Sequence, residues 1–154
     1  MTPRTLFPAL ARLEAVTWAL LIVGMFLKYV TRTTELGVAV FGLAHGVAFV
    51  AYVLVTLVVW VDQRWPLRVA VGALVAGVLP FATLWVERRV ERRGLVGHDW
   101  RLRPGGEAPD HVGEQVLARA LARPVVATVA GGVTVVLVTA VLLAVGPPGG
   151  SAGA

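Results

Sequence analysis

The chain contains no cysteine. Disulfides, thiolate catalysis and cysteine-based metal sites are therefore excluded. Lysine is nearly absent: Lys28 stands alone against thirteen arginines. Charge of either sign is scarce, at 15% of residues, while 57% are hydrophobic and mean hydropathy is +0.78. A soluble core of 154 residues could not bury so much apolar surface, so the composition points to a membrane protein.

Catalytic and cofactor signatures are missing as well. There is no P-loop, no G-x-S-x-G, no H-E-x-x-H and no dinucleotide fingerprint. His98-Asp99 and Asp110-His111 match no metal-ligand spacing and sit in a Gly/Pro-rich stretch, so no metal and no cofactor is expected. The net charge of +5 could in principle serve nucleic acid, but the arginines gather beside apolar runs. We therefore expect no nucleic-acid partner and no enzyme. The amino end, MTPRTLFPALAR, is not expected to be a cleaved signal, because Glu14 interrupts its apolar run and no small-residue cleavage site follows.

What is present are four apolar windows of about the length a membrane-crossing helix needs. They run from Leu10 to Val30, Leu36 to Val61, Leu67 to Val86 and Pro124 to Gly146. Thr33, Thr34 and Glu35 can cap the second, Pro66 and Pro124 suit the first turns of the third and fourth, and GPPGG ends the last. No turn signals cut the windows into ten-residue strands. The expected fold is all-α: a polytopic membrane helical bundle of four transmembrane helices. Residues 1–93 form a three-span domain, 94–123 an Arg-rich loop, 124–146 the fourth helix and 147–154 a disordered tail. Within the loop, EQVLARALAR spaces Val116, Leu117, Ala120 and Leu121 to one side, as in a short interfacial helix.

Four straight spans put the 87–123 loop and the Lys28–Arg32 corner on one side and both termini on the other. The loop carries eight arginines, so that side is expected to be cytoplasmic and the termini outside, in a cell-membrane protein. The loop arginines would attract anionic lipid.

Ionisable residues inside a span cost about 2.5–3.5 kcal/mol each at mid-bilayer on insertion scales. Glu14 and Lys28 sit near opposite ends of the first window, within about 40° of one face. Lys28 either meets Glu87 at the end of the third window or snorkels to the surface. Glu14 meets Arg64, Arg68, a polar group on another helix, or interfacial water. His45 falls near mid-bilayer, with Phe49 and Tyr52 following on nearly the same face. It either hydrogen-bonds a neighbouring helix as a neutral imidazole or serves as a proton relay or ligand. Gly42 and Gly46 form a GxxxG for close helix approach. Gly77 and Pro80 lie on one stripe of the third window, where Pro80 would kink the helix and free a carbonyl.

Three segments in order, LEAVTWALLIVGMFLKY, GLAHGVAFVAYV and LPFATLWVERR, carry Glu14, Lys28-Tyr29, His45-Gly46, Tyr52, Pro80-Phe81 and Glu87. This set resembles the bacterial YdzA-like integral membrane family, domain of unknown function 3817, over about residues 8–93. The resemblance implies a three-span membrane domain and supplies no activity; the loop and fourth window lie beyond it. The expected function is a non-catalytic accessory or assembly subunit of a membrane complex, partnered by another membrane protein or by further copies of itself. The alternative is a small oligomeric proton or solute channel using Glu14, His45, Lys28 and Glu87. A lipid- or quinone-directed enzyme ranks third.

Overall fold

The computed structural model describes residues 1–145, so Gly146 and the 147–154 tail lie outside the described residues. Those residues build six α-helices: α1 (Pro3–Met25), α2 (Leu36–Asp62), α3 (Leu67–Ala76), α4 (Ala82–Arg92), α5 (Val112–Leu121) and α6 (Pro124–Val145). A π-helical turn, Phe26–Val30, extends α1. The chain is an all-α polytopic membrane bundle. α1 with its π turn, α2 and α6 are each long and apolar enough to cross a membrane, and α3 is a shorter apolar helix.

α1 and α2 pack antiparallel along most of their length. The pairing runs from Phe7 against Tyr52, through Thr17 against His45, to Gly24 against Gly37. Gly24 is where the backbones meet most closely: a Cβ placed there would lie 2.7 Å from the Gly37 carbonyl carbon. The GxxxG pair expected to do this does not. Gly42 faces only the end of Leu21, and a Cβ on Gly46 would meet nothing within 4 Å.

The third apolar window enters the bundle as expected but is not one rod. α3 stops at Gly77, the chain reverses through Val78–Phe81, and α4 returns beside α3. Phe81 takes left-handed backbone angles, φ 63° and ψ −2°, which are rare for a bulky residue and let the chain turn so tightly. Pro80 lies exposed within the reversal, so it helps break the helix rather than kink it. Both ends of the hairpin lie together: the Trp65 indole donates to Leu95 O at 2.6 Å. Its tip packs on Phe49, midway along α2, so the hairpin penetrates only half the depth of the long helices.

A helix ending at that depth exposes carbonyls that no water can satisfy. Two side chains meet the need. The Gly77 N–H turns back to Leu74 and Val75, and the Tyr52 hydroxyl donates to Ala73 O at 2.9 Å. The Trp18 indole donates to Gly77 O at 3.4 Å. Gly77 itself is tightly seated, since a Cβ would stand 3.1 Å from the Tyr52 ring, which would have to give way.

The hairpin changes the sidedness expected from four straight spans. The chain before α1 and the Arg-rich loop lie at the same end of the bundle, where the Trp100 indole donates to Met1 O at 2.9 Å. The α1–α2 corner, with Lys28 and Arg32, is at the other end. The expected separation of the N-terminus from the loop is therefore corrected: a window that doubles back returns the chain to the side it came from. α5 then packs on α2, and α6 descends along α2 with Gly131 against Leu54.

Because the chain has no native cysteine, single thiols report this arrangement directly. Thr2→Cys and Glu107→Cys should label with an impermeant maleimide from the same side, and Thr34→Cys from the opposite side; opposite labelling of positions 2 and 107 would rule out the hairpin. Tyr52→Phe should cost about 1–2 kcal/mol in a detergent unfolding titration, as a buried carbonyl loses its donor. Tyr29→Phe, at an exposed tyrosine, should cost nothing measurable.

Candidate functional site

Small residues let α4 approach α1. Ala11 and Ala15 are buried there, and between them Glu14 points into the bundle with 0% exposure. Its partner is a polar group on another helix, Thr83 of α4, rather than Arg64 or Arg68. Thr83 Oγ1 lies 2.6 Å from Glu14 Oε2 and 3.1 Å from Ala11 O. Glu14 Oε1 is buried with no hydrogen-bond partner. One turn on, the Thr17 hydroxyl lies 2.9 Å from Glu14 O and 3.1 Å from His45 Nδ1. The His45 ring packs on Trp18, with centroids 4.5 Å apart. The result is a short polar chain joined at Glu14, with Thr83 on its carboxyl and Thr17 linking its backbone carbonyl to His45, beside the hairpin tip.

Hydroxyl groups carry one proton each, and this constrains the chain. Thr17 can donate to the Glu14 carbonyl and bond His45 at once only if His45 Nδ1 carries a proton and donates. Thr83 can serve Ala11 O and Glu14 Oε2 together only if the carboxyl carries the proton and donates to Thr83. The arrangement can therefore hold a proton on an acid or pass hydrogen bonds between α1, α2 and α4. It offers neither a converging set of metal ligands nor an activated nucleophile.

The remaining expected contacts are redistributed. Lys28 lies 3.4 Å from Glu35, at the far end of the bundle, and not against Glu87. Glu87 is 5% exposed and pairs with Arg12, whose Nη2 and Nε lie 2.6 and 3.1 Å from the same carboxylate oxygen. The reversal at Gly77–Phe81 is the reason: it carries Glu87 back along α1 toward its N-terminal half. Arg12, Thr17 and Thr83 are site residues that the sequence alone does not mark. Nothing in their spacing singles them out, because each acts through a contact between helices.

A second polar assembly, not foreseen from the sequence, ties the loop to the α2–α3 corner. Asp62, fully buried at the end of α2, accepts the backbone N–H groups of Arg101 and Leu102, each at 3.1 Å. Glu114, 1% exposed on α5, accepts from Arg64 Nε at 3.1 Å, from Arg101 and from the Asp110 N–H at 2.8 Å. The Arg64 bond, then the Asp110 N–H and Arg101, hold the Glu114 carboxyl down at about 2 against the cost of its burial. The segment 94–111, though rich in Gly and Pro, is thus pinned. α5 is a short helix where one was expected, with Leu117 buried but Val116, expected on the same side, turned outward.

Since the folded acid titrates below its ordinary value of 4.5, Glu114 stabilises the fold fully above that pH and loses the contribution as pH falls toward 2. Thermal unfolding in detergent should show Glu114→Gln melting below wild type at pH 7, with the gap closing as the pH approaches 2. A gap unchanged across that range would dissociate Glu114 from the acid limb.

A known protein resembles part of the chain. A Streptomyces coelicolor protein named "Putative membrane protein SCO5905" is 47% identical over 89 residues, which cover 57% of this chain. The match spans only about a tenth of that protein's length, 10%. No solved structure matches. The family model described as domain of unknown function (DUF3817) matches residues 4–92, from the first turn of α1 to the end of α4. The chain belongs to that family.

Proposed function

We propose that this multi-pass membrane protein is a non-catalytic accessory module that assembles with a larger membrane protein. The observation that carries the reading is the closure of its polar chain. Glu14 is fully buried, and the Gly24–Gly37 contact seals the helix pair between His45 and Lys28. The polar groups thus stitch α1, α2 and α4 together instead of lining a route from Lys28 to Glu87. The relative adds support, since a stretch like 89 residues of this chain makes up only 10% of that protein. A module that forms part of a large membrane protein there is suited to packing against the rest of such an assembly here.

Sidedness belongs to the same proposal. Every arginine except Arg32 falls at the end of the bundle that holds the N-terminus and the loop, and the one lysine, Lys28, lies with Arg32 at the other end. By the positive-inside rule that end is cytoplasmic, with α6 running outward. The Arg-rich loop remains cytoplasmic in this reading, and the N-terminus joins it there.

One feature favours proton binding as a second reading: Glu14 Oε1 is buried without a partner, one turn from the Thr17 hydroxyl that contacts His45. Gentle purification from the native membrane separates the two. The accessory reading expects a stoichiometric companion that resembles the part of the Streptomyces protein outside the matched 89 residues. A homo-oligomer alone, with proton flux in vesicles abolished by His45→Phe, would replace it by the second reading.

A further inference from the structure

The arginines divide into two classes. Arg12, Arg64, Arg101 and Arg103 each lie within 4 Å of a carboxylate. Arg68, Arg89 and Arg93 make no such pair among the described residues, yet α3 and α4 bring all three to one groove. The groove is about 430 Å³, within the range of clefts that hold a ligand. Arg68 and Arg93 stand at its rim beside Leu95, Arg89 lies a turn deeper against the Trp85 ring at 5.0 Å, and Gly72, Ala73 and Val86 form the apolar floor. Gly72 leaves that floor open, since a Cβ there would meet nothing within 4 Å. Polarity thus runs one way, from cations at the membrane surface to apolar wall at depth.

We propose that the outer groove of the α3–α4 hairpin is a binding site for one anionic phospholipid. The phosphate sits among Arg68, Arg89 and Arg93, and the upper part of an acyl chain lies over Gly72 and against Trp85. Guanidinium groups suit the phosphate because their donors match its oxygens in pairs. A hairpin that ends at mid-bilayer leaves a gap in the bundle surface that a lipid chain can follow. This site is distinct from diffuse attraction between a basic loop and a charged surface, which needs no groove.

The test uses the full chain in nanodiscs or released into native mass spectrometry, with phosphatidylglycerol or phosphatidylcholine as the probe. Wild type should retain phosphatidylglycerol selectively. The triple substitution Arg68→Gln, Arg89→Gln, Arg93→Gln should weaken retention roughly a hundredfold, as expected for three surface arginines. Gly72→Leu, which removes no charge and fills open space, should also reduce retention while the thermal melt is unchanged. Arg119→Gln with Arg123→Gln should leave it within about twofold, because those arginines lie outside the groove. Equal loss in that control, full retention in the triple variant, or equal binding of phosphatidylcholine by wild type would each overturn the proposal.

Discussion

The structure depends on ending a helix in the middle of a membrane. Where α3 stops at Gly77, its last carbonyls face a medium that offers no hydrogen bonds, and each unsatisfied group there costs several kcal/mol. Tyr52 from α2 and Trp18 from α1 supply the donors. The reversal that follows requires Phe81 in a left-handed conformation, at a cost of about 1–2 kcal/mol. That strain persists because the surroundings hold it: Thr83, two residues on, bonds α1, and Gly77 is seated against Tyr52 and Phe49. The two long helices thus act as the solvent for the hairpin.

From this reversal the placement of the other polar groups follows. α4 returns along α1, so Thr83 meets Glu14 and Glu87 meets Arg12. Glu91, Arg92 and Arg93 come back to the end from which α3 set out, and the loop after them is short enough to fold over the α2–α3 corner. Asp62 and Glu114 then gather that loop's backbone and two of its neighbouring arginines. Buried ion pairs contribute little net stability over apolar contacts but cost much if one member is removed. Their effect here is to make a Gly/Pro-rich segment adopt one position.

Much of the architecture was legible from hydropathy and helix-end residues. α2 begins at Leu36 and α6 at Pro124, where the apolar windows begin, and α5 follows the spacing of Leu117 and its neighbours. The hairpin was not legible for a physical reason. Mean apolarity over residues 67–86 is the same whether the chain crosses the bilayer or turns within it. Pro80 marks a fault in the helix but does not say whether the chain bends or reverses. That outcome is decided by partners far away in sequence, Tyr52 and Trp18. The same limit hid Thr17 and Thr83, which became informative only when the helices carrying them were set side by side. Glu14 and His45 stood out because polar groups are rare in such windows, yet their partners depended on the path of α4.

This order of dependence bears on what the polar cluster is for. A conducting path needs polar groups that face a continuous opening, and a clamp needs them turned toward each other. Glu14 Oε2, Thr83, Thr17 and His45 Nδ1 bond one another or nearby backbone among α1, α2 and α4, and Gly24 against Gly37 closes the helix pair beyond them. Glu14 Oε1 is buried and without a donor. A clamp alone has no need of a carboxyl here, because an amide or a hydroxyl would bond Thr83 equally well. What a carboxyl adds is the option of holding or releasing a proton, with Thr83 acting as acceptor in one state and donor in the other. Through that acid, the grip between α1 and α4, and with it the seat of the hairpin, is coupled to proton occupancy.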